Sequence, residues 1–122
     1  MPFINDEVFD QGLDYADTNG TRIDICSSEP ANYAGIAAVT LGNATVNTGA
    51  TQNGATDGRR VIVPAITTGS VTGTGTATHW ALSDGTAILV ATGPLSASQA
   101  VTSGNTFTLD AISLTIRDAT AV

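Results

Sequence analysis

Two periods of hydrophobic positions divide the chain. Between Asn5 and Asn19, Val8, Phe9, Leu13 and Ala16 recur at helical spacing, while Asp10, Asp14 and Asp17 fall mainly on the other side. Asn5 can cap the first turn, Asp6 and Glu7 suit the positive end of the helix dipole, and Ile4 can staple onto Phe9. Asn19-Gly20 suits a left-handed C-cap. The pattern predicts one short amphipathic helix near 5–18, weakened by Gly12 at about 1 kcal/mol against alanine.

Beyond Gly20 the period shortens to two. Thr21 to Cys26 places Ile23 and Ile25 on one face and Arg22 and Asp24 on the other, a half-buried strand that the Ser27-to-Pro30 turn stops. Ile36 to Leu41 and Ala44 to Thr48 read as short strands. Residues 49–58 contain little to bury and predict an exposed loop. Arg60 to Ile66 is a strand interrupted by Pro64, which suits an edge or a bulge. The Thr/Gly tract from Gly69 to Thr76 reads as a loop into the clearest hairpin, Ala77 to Ser83, then Asp84-Gly85 as a type I′ turn, then Thr86 to Thr92. Gly93-Pro94 is expected to break that second strand. In Thr106 to Ile116, Phe107 and Leu109 share one parity while Ile112, Leu114 and Ile116 share the other. A bulge near Asp110-Ala111 would keep all five on the core face. Several short strands between Gly-rich turns predict a mainly β fold, a small antiparallel β-sandwich or barrel with one short N-terminal helix.

The 122 residues fit a single domain, 1–122, whose folding should bury roughly two-thirds of its extended surface. No apolar run reaches the roughly 18 residues of a membrane span, and the first residues lack the basic and apolar regions of a secretory signal, so synthesis in the cytosol and no membrane partner are expected. The net charge of −7, with four arginines and no lysine, argues against a nucleic-acid partner, which would need several cations on phosphates. Cys26 is the sole cysteine, so an internal disulfide or a thiolate metal cluster is excluded.

Candidate chemistry fails on spacing. His79 and Ser83, with Asp84 adjacent, suggest a nucleophile and its base, but four residues of strand span about 13 Å. Seven of the eleven acidic residues lie in the first 29, without an aromatic cleft to hold a sugar between two carboxylates. Aligning Gly20 with the glycine of a calcium loop puts Tyr15 and Cys26 at ligand positions, and neither fits. Gly73-Thr74-Gly75 lacks the third glycine of a dinucleotide fingerprint and leads into a strand. No enzyme activity, metal or cofactor is expected. Trp80 reads as the core anchor of the hairpin, with a sugar-stacking platform as the alternative.

Three blocks carry a resemblance. These are Asn19 to Pro30 (NGTRIDICSSEP), Gly69 to Leu82 (GSVTGTGTATHWAL) and Leu95 to Phe107 (LSASQAVTSGNTF). Together with the short helical entry they resemble a family of small tailed-bacteriophage virion proteins. The resemblance implies a capsid decoration or cement role on the outer face of the head, the major capsid protein as partner, a homo-oligomer, and no active site. A strongly acidic chain suits that outer face better than the DNA side. A terminus and a long loop can drape over a neighbouring subunit, so Pro2, Phe3, Ile4 and Phe9, with Gln52, Asn53, Arg59 and Arg60, are the expected capsid contacts. A tail or head–tail connector component and a carbohydrate-binding module on the virion are the alternatives.

Overall fold

The computed structural model describes residues 5–54 and 58–116. Helix α1 (Asp6–Asn19) starts where the sequence says it should, with the Asn5 side chain accepting from the Glu7 backbone N–H at 2.8 Å. It buries Phe9, Leu13 and Ala16. Its end differs from expectation. Gly20 has φ −80°, so it is not left-handed, and its N–H donates to the Ala16 carbonyl at 2.7 Å. Glycine is needed there for room, because a Cβ would lie 2.5 Å from that carbonyl and 2.8 Å from Leu82 Cδ2.

Strand β1 (Arg22–Cys26) lies at the centre of a six-stranded antiparallel sheet, paired on one side with β2 (Thr40–Thr45) and on the other with β6 (Gly75–Ser83). Ile23 and Ile25 enter the core as the alternation predicts. The opposite face, expected to be wet, is covered as well. Helix α2 (Tyr33–Val39) packs Ile36 against Cys26 and Ala81, and Asp24 is fully buried. This helix replaces the strand expected over Ile36 to Leu41. Asn32 starts it by accepting from the Gly35 N–H at 2.8 Å, a local cap that gives the apolar run a helical beginning.

Strand β3 (Gln52–Asn53) pairs with β4 (Arg59–Val63), so the expected 49–58 loop is partly a two-strand ribbon, with its side chains at 52 and 53 exposed. Pro64 ends β4, and the chain then crosses to the larger sheet as β5 (Ile66–Val71). Gly69 to Val71 therefore belong to a strand and not to a loop. The Phe107 ring lies over Gly69 so closely that a Cβ would meet Cε1 at 2.2 Å.

The hairpin is present, but its turn is not type I′. Only Gly85 has positive φ, and the connection runs over five residues from Asp84 to Ile88. The Asp84 carboxylate organises it by accepting from the N–H groups of Thr86, Ala87 and Ile88 at 2.8, 2.8 and 3.0 Å. Strand β7 (Leu89–Val101) continues through Gly93-Pro94, contrary to expectation. It is an edge strand that tolerates proline, and a register shift opposite Thr78 absorbs 95–98. Strands β8 (Thr106–Leu109) and β9 (Ile112–Ile116) are separated at Asp110-Ala111 by a switch between sheets, where a bulge within one strand was expected. The larger sheet runs β7-β6-β1-β2-β5-β8 and the smaller β3-β4-β9. The main core holds Ile23, Ile25, Val63, Leu82 and Phe107 from both sheets, with Ile112 and Leu114 packed against it. The architecture is a small antiparallel β-sandwich or barrel with an N-terminal helix.

Candidate interaction surfaces

The expected contact residues separate into three groups. Pro2, Phe3 and Ile4 lie outside the described residues. Phe9 is 4% exposed, so as folded it serves the core and cannot be a surface contact; helical spacing puts it on the same face as Leu13 and Ala16. The remaining four are brought together by β3–β4 pairing, with Gln52 opposite Arg60 and Asn53 opposite Arg59.

Within that ribbon the arginines do different work. Arg59 Nε donates to Asp10 Oδ1 at 2.8 Å and its NH1 to Asn53 Oδ1 at 2.7 Å, so Arg59 ties α1 to the ribbon. Arg60 NH1 donates to Ser113 Oγ at 3.3 Å, and its buried Nε has no hydrogen-bond partner among the described residues. Gln52 and Arg60 thus form a polar row across the small sheet that reaches Ser113 on β9, while Asn53 and Arg59 are engaged in holding α1.

A second surface lies where α1, β7 and β9 meet, and sequence reasoning did not find it. Gly12, Leu13, Tyr15 and Ala16 of α1, Ile88 to Ala91 at the start of β7, and Leu114 to Ile116 of β9 enclose a groove of about 330 Å³. Leu13, Ala16, Val90 and Leu114 join the small core cluster around Val61. Tyr15, Ile88 and Ile116 stand at the rim, 47%, 41% and 37% exposed. Val8, 62% exposed, lies on the same helical stripe as Gly12 and Tyr15. These four are the large apolar residues that the described surface exposes, and three of them line this one groove. Glu7 and Asp14 are exposed on α1 but by helical spacing turn away from the groove, whose lining carries no charged residue.

The groups singled out for chemistry serve structure. His79 Nδ1 lies 2.9 Å from Thr78 Oγ1, whereas Ser83 is buried and its Oγ accepts from the Gly85 N–H. Asp24 accepts a two-pronged contact from Arg22, Nε at 3.0 Å and NH2 at 3.2 Å, together with the Thr40 hydroxyl at 2.7 Å. Burial, with the Asp24 carboxylate nearby, pushes the Cys26 thiol up to about 12, so it is no nucleophile at neutral pH. Among the described residues no three acidic, histidine or cysteine side chains gather as a metal site, and no helix is long and apolar enough to cross a membrane.

Trp80 lies at a different groove, of about 580 Å³, between the 94–99 segment of β7 and the β8–β9 junction. It is only 8% exposed and belongs to the main core. Gly93 lies against the indole, where a Cβ would stand 2.8 Å from Cζ2. An open stacking platform for sugar is therefore not formed by this ring. No protein-family model matches the chain, and no curated protein or solved structure matches it.

Proposed function

We propose that the protein is a structural component of a tailed-phage virion, a decoration or cement protein that binds the major capsid protein on the outer face of the head. The observation that carries a binding role is the gathering of Tyr15, Ile88 and Ile116 around one groove, with Val8 on the adjoining helical stripe. A contiguous apolar surface with a polar rim is the mark of a protein-docking site. The resemblance of the three sequence blocks supplies the partner. Gln52 and Arg60 add a polar patch that runs across the small sheet to Ser113 on β9, so a single copy offers both apolar and polar contacts to a neighbour. Repetition of such bridges over a lattice of identical subunits multiplies a weak contact.

Co-sedimentation of the purified protein with mature heads stripped of accessory proteins tests the reading. Saturation at hundreds of copies per head is the expected result. Saturation at about a dozen would transfer the protein to the portal or tail vertex, and absence of binding would overturn the virion role.

A further inference from the structure

We infer that the groove between β7 and the β8–β9 junction binds a neutral polyhydroxylated ligand of the sugar class, held edge-on by the Trp80 N–H and not stacked on the ring. This goes beyond the capsid-binding role and does not depend on it. The site arises from how the large sheet closes. Its two edge strands, β7 and β8, meet as the sheet curls, and the Gln99 side chain clasps them by donating to the Thr108 carbonyl at 3.1 Å. Beside that clasp the seam stays open. Residues 95–98 of β7 have no partner in the register of β6 and form one wall, and the sheet switch at Asp110-Ala111 forms the other. The space between them is about 580 Å³, within the range of small-ligand sites, which favour the mouths of barrels.

Trp80 is the informative residue. It is 8% exposed, and its Nε1 N–H makes no hydrogen bond to any described residue. Nor is that nitrogen sealed in, since among the described residues Arg60 Nε is the side-chain polar atom that is both unpartnered and cut off from solvent. The indole donor therefore opens outward while the rest of the ring is buried, and Trp80 lines this groove. Gly93, next to Pro94 on the wall, leaves the nitrogen uncovered, because a Cβ there would stand 2.9 Å from Nε1. Buried tryptophan N–H groups ordinarily have a partner, so this one is placed for an acceptor on a ligand.

The sense of the hydrogen bonds chooses the ligand. The lining carries one carboxylate, the exposed Asp110, and no cation. A carboxylate or phosphate would accept from Trp80 but meet Asp110 as a like charge. An ammonium or guanidinium would suit Asp110 but has no lone pair for the indole N–H. A hydroxyl both donates and accepts, so a ring of hydroxyls serves both groups, and the exposed Ser96, Ser98 and Thr108 hydroxyls match it further. Leu95, Leu109 and Ile112, packed on the main core, offer an apolar floor to the C–H faces of a sugar.

The test titrates the intact, isotope-labelled protein with methyl glycosides of glucose, galactose and mannose, each beside its uronic-acid counterpart. Trp80 is the sole tryptophan, so its indole N–H gives one resonance. At least one neutral glycoside should shift that resonance saturably, in the millimolar range, and bind at least about tenfold more tightly than its acid. Trp80→Phe keeps a ring and removes the donor. Binding read from the amides of 95–98 should then weaken at least about tenfold. Because Trp80 also serves the core, Asp110→Asn at an exposed position is the second variant. It should bring the acid to within about threefold of the neutral sugar and leave thermal unfolding unchanged.

An indole resonance that no glycoside moves at tens of millimolar would overturn the inference. So would equal binding of neutral and acidic sugars by the wild type, or shifts confined to α1 and β9. Movement of the indole by the major capsid protein and by no glycoside would also overturn it, and would assign the seam to a protein contact.

Discussion

The ion pair under the centre of the large sheet makes an asymmetric prediction. Asp24 is fully buried, whereas the Arg22 side chain is 39% exposed. Replacing Asp24 with alanine frees a guanidinium that can reach water, and the Thr40 hydroxyl still has the Gly42 carbonyl at 3.2 Å. The loss is then that of a charge-assisted hydrogen bond, about 1.5–3 kcal/mol. Replacing Arg22 with alanine strands a carboxylate from which water is excluded, with one hydroxyl left to hold it. Breaking a buried pair in that direction costs about 3–5 kcal/mol. Once Asp24 is gone, Arg22 has nothing there to neutralise, so the double variant should be close to Asp24→Ala alone. The two single losses should therefore not add.

Urea denaturation followed by the emission of Trp80, the sole tryptophan, measures all four corners of this cycle. With an ordinary urea dependence, Arg22→Ala should lower the midpoint by about 2 M, and Asp24→Ala by roughly half as much. An Arg22→Ala variant milder than Asp24→Ala, or a double variant equal to the sum of the singles, would refute the reasoning. Either result would mean that the carboxylate finds water or another donor.

Three further outcomes are expected. Gly69→Ala places a Cβ against the Phe107 ring, which is 1% exposed and has little room to move, so thermal denaturation should show a loss of about 1–3 kcal/mol, reduced when Phe107→Leu is added. Cys26, buried and with its thiol pushed up to about 12, should resist a thiol reagent at pH 8 in the folded protein and react promptly in urea. Asp84 is held below its ordinary 3.8 by the N–H groups of Ile88, Ala87 and Thr86. Its contribution is therefore present above that value and is lost as the pH falls through the lowered one. Urea midpoints of the wild type and Asp84→Ala should differ at pH 6 and converge in acid; a constant gap would show that the carboxylate charge is not what organises the turn.

The parts of the fold that are legible in the sequence are those where local and global demands agree. Asn5 caps α1, Ile23 and Ile25 alternate into the core, and Ala77 to Ser83 pairs with the strand beyond Asp84-Gly85. The misreadings come from neighbours that a single segment does not see. Asp24 reads as solvent-facing because its alternation is correct, yet Arg22 and Thr40 neutralise it under the sheet. Gly69 and Gly93 read as punctuation, but each makes room for an aromatic ring, Phe107 in one case and Trp80 in the other. The candidate surface is legible only in part. Pairing of β3 with β4 joins Gln52 to Arg60, whereas the groove depends on α1, β7 and β9 coming together from distant positions. Tyr15, Ile88 and Ile116 have no shared period in the chain, so no pattern search would join them.

The groove also bears on how strong a single contact should be. Val8, Tyr15, Ile88 and Ile116 are between 37% and 62% exposed, so covering all four would remove about half of their apolar surface from water. At about 1.5–3 kcal/mol for a full side chain, this amounts to roughly 3–6 kcal/mol. Association of two bodies costs about 4–15 kcal/mol in lost freedom, so apolar burial alone barely offsets it. A single contact through this groove should therefore be weak, in roughly the high-micromolar to millimolar range. A lattice presenting the binding site many times would convert such a contact into firm attachment without any new interaction. Titration of the isolated major capsid protein and of stripped heads with the same preparation should therefore give affinities at least about a hundredfold apart. If the single capsid subunit binds as tightly as the head, multiplicity is not what holds this protein in place.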